Sequence, residues 1–441
     1  MNSITTAAAF SRRSLLRGGA AFSAGAALGG LPFAPSPAFA RSAADWPNLG
    51  RMARSYVGAG KVANMVGLFA RGEGEGAVVA EGYDTIGRAR RADVDSLYRI
   101  YSMTKPITGM AAMILIAEGK LGLDQPLAEI LPGFANMRVQ KQYDGSIGPE
   151  NLEPARNPIL IRHLLTHTAG LGYSVVQQGP LAVKMRERGI VSGQVSRLPV
   201  PGLDRGSSVR SLELFAERLA EIPLVYQPGT RWNYSTGLDL MGRVIEVVSG
   251  QPFDAFLKER IFDPCGMDST FFKVPQSEVW RLTTNYTALG RILLPIDPPN
   301  ASVFALDPPF PMGGSGLVSS PRDYDRFLAM IAGYGMLGGT RVMPEPAVRM
   351  GTSDLLPGPE TVAGTSIAGM GFGAGARLGW AGGATGYFGW GGAADTVAFV
   401  DMTSGLRAGM YTQIMPGTIY PVYDDFEAAV RQDLAYQKGL S

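Results

Sequence analysis

The apolar positions of this chain fall into three patterns, each predicting a different kind of element. Short apolar runs bounded by glycine-rich turn signals predict strands over Val66 to Arg71 and Val78 to Tyr83,. Similar runs follow late in the chain, over Tyr387 to Trp390, Thr396 to Asp401 and Ala408 to Thr412,. Amphipathic periodicity predicts helices over Asp45 to Val57, Ser211 to Ala220, Leu238 to Ser249, Asp323 to Ala332 and Asp424 to Gln437,. The third pattern is found in one place. From Leu97 to Tyr101 a β-rich run delivers Ser102 to a helix that is apolar on nearly every side up to Gly119. A helix without a polar face belongs in the core of a large domain.

Strands therefore occupy both ends of the chain and helices the middle. The simplest arrangement is an α/β (α+β) fold in which the two ends assemble one antiparallel sheet, flanked by helices, with a helical domain inserted. The expected division is a sheet domain from residues 41–102 and 325–441, and a mostly helical domain over 103–324. Residues 132–158 read as loop, 172–208 as a surface excursion and candidate lid, and 270–312 as a Pro-rich irregular region, also a candidate lid,.

Composition changes this picture little, whereas the amino terminus changes it more. Hydrophobic content of 46% and charged content of 18% describe an ordinary globular protein,. No basic tract follows the first forty residues, so nucleic-acid binding is not expected,. Ser11-Arg12-Arg13-Ser14-Leu15-Leu16-Arg17 carries the adjacent arginines of a twin-arginine signal,. A small-residue apolar run and Ala38-Phe39-Ala40 follow, the latter as a cleavage site,. Residues 1–40 are thus expected to be a signal peptide, and the mature protein periplasmic or secreted, without stable membrane insertion. Cleavage removes Arg12, Arg13 and Arg17 and no acidic group, so +2 minus 3 gives −1. The only cysteine, Cys265, excludes an intrachain disulfide and reads as a loop residue, not a nucleophile,.

Four nucleophile schemes can be tested against the residues. The Gly-x-Ser-x-Gly elbow does not occur,. A Ser-His-Asp triad would have to use His163 or His167, which are four apart on one predicted helix and boxed by leucines. That pair reads as structural rather than as a metal site, since residue 164 is Leu where a zinc protease has Glu,. Thiol chemistry is set aside with Cys265. What remains is Ser102-Met103-Thr104-Lys105. Among eight lysines, Lys105 alone has serine three residues before it. One helical turn apart, the two side chains emerge on the same face at the helix entrance.

Two further stretches carry candidate chemistry. Pro228 to Gly237 contains Tyr234, a second group able to exchange a proton beside Ser102, within a turn and aromatic cluster,. Gly389-Trp390-Gly391-Gly392-Ala393 lies on a predicted strand, where glycines mark close approach by a backbone or ligand,.

Together, in this order, the three stretches resemble the serine β-lactamase and penicillin-binding-protein superfamily, closest to class C β-lactamases and family VIII carboxylesterases. Ser102 to Lys105 matches the Ser-x-x-Lys motif, Tyr234-Ser235-Thr236 the Tyr-x-Asn motif, and Trp390-Gly391-Gly392 stands where lactamases have Lys-Thr-Gly. Ile161 to Leu171 and Gly313 to Ser320 are further family-like stretches, read as framework. The resemblance implies a β-lactamase/transpeptidase-like fold. It also implies an acyl-enzyme on Ser102, proton transfer by Lys105 and Tyr234, and an oxyanion hole from the backbone N–H groups of Ser102 and Ala393. Thr236, Trp390, Gly391 and Gly392 become expected substrate contacts, and no cofactor or metal is called for. Trp390 brings no positive charge and Gly391 no hydroxyl to hold a substrate carboxylate. The expected activity is accordingly ester hydrolysis on a small-molecule ester. A β-lactamase or D-Ala-D-Ala peptidase is the alternative on the same residues, and a non-catalytic penicillin-binding sensor is a third.

Overall fold

The computed structural model describes residues 45–191, 193–198, 206–380 and 386–439. The expected signal peptide lies outside these residues, as does part of the 172–208 segment. Among the described residues no helix is long and apolar enough to cross a membrane.

One seven-stranded antiparallel sheet organises the molecule. Its strands are β1 (Asn64–Arg71), β2 (Ala77–Gly82), β3 (Met370–Phe372), β4 (Arg377–Trp380), β5 (Tyr387–Gly392), β6 (Thr396–Asp401) and β7 (Leu406–Tyr411). They run in the order β3-β4-β5-β6-β7-β1-β2, so the two ends of the chain meet where β1 pairs with β7. The sheet does join the chain ends as the pattern predicts. It is larger than predicted because β3 and β4 lie in a glycine-rich stretch with few β-branched residues to announce them,.

Both faces of the sheet are covered. Helices α1 (Pro47–Gly58) and α10 (Val422–Gly439) pack against each other, and a cluster containing Trp46, Phe69, Val397, Met410 and Phe426 fills the space beneath them. Helix α8 (Pro321–Ala332) lies on β1, β6 and β7. Ser320 caps it by accepting the Asp323 N–H at 3.1 Å, and Pro321 sits in its first turn,.

The buried helix of the sequence is α2 (Thr104–Ala117), and every residue from Thr104 to Leu115 is buried. It ends as predicted, with Gly119 in the left-handed conformation just past the last turn,. Around it are α6 (Gly237–Ser249) and α9 (Glu345–Gly351), and α6 in turn packs on α3 (Ile161–Leu165), α5 (Leu212–Ala220) and α7 (Phe253–Leu257).

Three loop expectations are corrected. The 172–208 segment is no mere surface excursion: it contains α4 (Pro180–Glu187), and Leu181, Met185 and Ile190 are fully buried in the main core. The 270–312 region forms a hairpin, Asn285–Leu289 with Ile292–Asp297. Residues 132–158 include the paired segments Arg138–Gln140 and Leu152–Pro154. Cys265 is not an open loop residue either. It closes a helical turn, is fully buried, and has its thiol pushed up to about 12 by burial.

Candidate active site

Ser102 stands in a 3-10 turn (Tyr101–Met103) wedged between a two-residue strand, Tyr98–Arg99, and α2. The strand pairs with Val318–Ser319, and the preceding residue Tyr101 is held at φ 42°, a left-handed conformation unusual for a bulky side chain,. Arg99 anchors this approach from below. Its guanidinium is wholly buried, with Nε on Asp297 at 2.6 Å, one amino group on the Thr283 carbonyl at 2.6 Å and the other on the Asp297 carbonyl at 2.9 Å.

Two side chains from separate elements converge on Ser102 Oγ, and a third supports one of them. Lys105 Nζ, from the first turn of α2, is 3.2 Å away. Tyr234 Oη, from the loop that leads into α6, is 2.7 Å away. Trp390, on β5, reaches Tyr234 instead, its indole Nε1 lying 3.4 Å from the phenol oxygen. Lys105 is 1% exposed, and Nζ also lies 4.6 Å from the centre of the Tyr234 ring. Such a cation over an aromatic face is held without a carboxylate.

The remaining support for Lys105 comes from the loop of residues 313–317. Nζ donates to the Gly314 carbonyl at 2.7 Å, and Thr108 Oγ1 donates to the Gly313 carbonyl at 2.7 Å. The Gly314 N–H is in turn fixed by Asp239 Oδ1 at 2.8 Å, from the first turn of α6. Gly314 is thus a part of the site that the sequence reading assigned only to framework, and Asp239 is one that it did not single out. The run Gly313-Gly314-Ser315-Gly316 was the available signal. A Cβ on Gly314 would lie 2.9 Å from the Asp239 carboxylate.

Strand β5 is brought against the nucleophile turn by its glycines. A Cβ on Gly392 would lie 2.4 Å from the Ile100 carbonyl, and one on Gly391 would lie 3.0 Å from the Tyr423 ring. Tyr423 Oη donates to the Gly392 carbonyl. The next residue, Ala393, is exposed in the β5–β6 turn, and its carbonyl accepts the Gly417 N–H at 2.9 Å. Asp395 completes the turn at φ 59°, and burial raises its carboxyl well above the usual carboxylate range.

Thr236 is fully buried, with its hydroxyl donating to the Gly172 carbonyl at 3.3 Å, and so ties down the 172 segment. The two histidines face different partners. His163 Nδ1 accepts the Leu160 N–H at 3.1 Å at the start of α3, whereas His167 lies beside Tyr234 with ring centres 4.8 Å apart. Burial lowers His163 to about 4.

Comparison with known proteins decides the family. The family model described as Beta-lactamase matches residues 52–432. The chain belongs to this family. It is 36% identical over 279 residues to Protein Rv1367c of Mycobacterium tuberculosis, covering 62% of this chain and 63% of that one. It is 35% identical over 186 residues to Esterase EstB of Burkholderia gladioli, covering 42% and 40%. The matched regions therefore span less than two thirds of these relatives' own lengths. Among solved structures, EstCE1, described as a hydrolase with promiscuous acyltransferase activity, superposes with a TM-score of 0.69 at 25% identity, covering 88% of this chain and 99% of that one. A mutant of the simvastatin synthase LovD from Aspergillus terreus superposes with a TM-score of 0.69 at 22% identity and shares the fold.

Proposed function

We propose that this protein is an exported serine hydrolase that cleaves carboxylic esters through an acyl-enzyme on Ser102. The observation that carries this reading is a single oxygen with two proton-exchanging neighbours: Ser102 Oγ lies within hydrogen-bond reach of both Lys105 Nζ and Tyr234 Oη. A serine hydroxyl is a weak nucleophile until a neighbour takes its proton.

In the reaction, Ser102 Oγ bonds to the acyl carbon while its proton passes to whichever of Tyr234 and Lys105 is unprotonated. The bond from the acyl carbon to the alkoxy oxygen then breaks, and the same group returns the proton to the departing alcohol. Water repeats the sequence on the acyl-enzyme, releasing the carboxylic acid and restoring Ser102. The backbone N–H groups of Ser102 and Ala393 are the proposed oxyanion donors, and the tight packing of Gly392 on Ile100 supports their being neighbours. Losing one such donor costs roughly 100- to 1000-fold in rate.

The preference for esters rests on Trp390. It brings no cation for a substrate carboxylate, and its N–H is engaged with Tyr234. Relatives named as esterases favour the same reading. Turnover of p-nitrophenyl butyrate against nitrocefin tests it. Ester cleavage should dominate, and strong nitrocefin hydrolysis without ester cleavage would overturn the assignment. Trp390→Lys is expected to move preference toward carboxylate-bearing substrates; an unchanged profile would contradict the role given to Trp390.

A further inference from the structure

Helix α3 ends in a way its sequence does not favour. The N–H groups of Thr168 and Ala169 return to the His163 carbonyl at 2.9 and 3.1 Å, closing the helix. The residue that turns the chain there is His167, at φ 57°. Glycine ordinarily fills that left-handed position, because a side chain there is strained. Strain of this kind persists only where the surroundings impose it, and here they are the two neighbours of Tyr234. The His167 carbonyl accepts the Asn233 N–H at 2.9 Å. Its Nδ1 lies 3.3 Å from the Ser235 nitrogen and 3.0 Å from Ser235 Oγ.

The protonation state of His167 follows from these partners. The Ser235 N–H can only donate, so Nδ1 must carry a lone pair, and the ring proton belongs on Nε2. Ser235 Oγ accepts the Gly237 N–H at 3.3 Å and is free to turn its own proton to Nδ1. The ring is fully buried, edge-on to Trp232 and Phe372. Burial, then the Lys105 cation on α2, hold it well below its ordinary value. Tyr234 is a titratable group beside it, with ring centres 4.8 Å apart. A proton on Nδ1 would point at the Ser235 N–H and release the clamp.

We infer that His167 is a positioning residue for the proposed reaction: a neutral imidazole that grips Asn233 and Ser235 on either side of Tyr234 and so sets the phenol oxygen on Ser102. This rests on the reading of Ser102, Lys105 and Tyr234 given above. It also accounts for a histidine at a helix end where glycine would be less strained.

The test is His167→Gly, which removes the side chain and relieves the backbone, beside His167→Asn, which tolerates the left-handed conformation and restores an acceptor. His167→Gly should lower kcat for p-nitrophenyl butyrate at least tenfold while changing KM less than threefold, and slow labelling of Ser102 by a fluorophosphonate to a similar extent. It should also shift the pH profile of kcat/KM, because the proton acceptor is displaced, and His167→Asn should recover part of each loss. A merely structural histidine would change the melting temperature but not the pH profile. Activity of His167→Gly within threefold of the parent, with an unmoved profile, would overturn the inference alone. A parent protein that neither turns over esters nor labels at Ser102 would overturn the underlying reading, and the inference with it.

Discussion

Arg99 and Lys105 are two buried cations six residues apart on the same stretch of chain, and they are held in opposite ways. Arg99 is 0% exposed and meets Asp297, itself 0% exposed, in an ion pair completed by carbonyl and hydroxyl acceptors. Lys105 is as deeply buried but has no ion pair with a carboxylate among the described residues. Its partners are a carbonyl, a hydroxyl and the face of a tyrosine ring. A neutralised buried cation fixes structure. Lys105 has no carboxylate to hold it and is directed instead at the hydroxyl of Ser102 and the ring of Tyr234, the groups that the proposed reaction uses.

The largest expected effect breaks the chemical side of this comparison. Lys105→Ala should lower ester turnover roughly 100- to 10,000-fold, the range for removing a positioned proton-transfer group. It should leave the circular-dichroism spectrum intact. Turnover within tenfold of the parent would show that Lys105 is as structural as Arg99.

The structural side has its own test. Asp297→Ala strands the Arg99 charge and should destabilise the fold by about 3–5 kcal/mol, measured by chemical denaturation. Replacing both partners, as Arg99→Met with Asp297→Leu, should recover most of that loss, because burying a pair gains little over apolar packing. A pair of apolar replacements that recovers nothing would mean Arg99 does more than anchor the turn.

A smaller effect comes from a buried base that carries no charge. His163 has a folded pKa of about 4, below its ordinary 6.5, so it is neutral in the fold and binds a proton more readily when unfolded,. Its contribution to stability is present above pH 6.5 and fades as pH falls toward 4. Comparing parent and His163→Asn melting temperatures at pH 7 and pH 4.5 isolates this. The gap between the two proteins should narrow at the lower pH, and a constant gap would contradict the assignment.

The contrast between these cations was half legible in the sequence. Ser102 and Lys105 declare themselves by spacing and by the apolar helix that follows, and Tyr234 and Trp390 by the motifs around them. The joining of the chain ends into one sheet was legible too, since strand patterns stood at both termini. What the sequence hid was whatever depends on backbone groups brought together across the fold. The Gly314 carbonyl that holds Lys105 has no side chain to mark it. Asp239 looks like any acidic residue in a helix's first turn, and Arg99 like any arginine beside a strand, until Asp297 is placed beneath it. Thr236 is the converse case. It sits at a motif position, but the neighbouring Gly172 carbonyl takes its hydroxyl. Glycines hid β3 and β4, while the same residue type correctly signalled the close approach of β5.

The most direct test of the account is intact-protein mass spectrometry of the enzyme quenched during turnover of p-nitrophenyl butyrate. The parent should gain one butyryl group that peptide mapping places on Ser102, and Ser102→Ala should show neither the adduct nor turnover. An adduct on another residue, or ester cleavage that survives in Ser102→Ala, would contradict it.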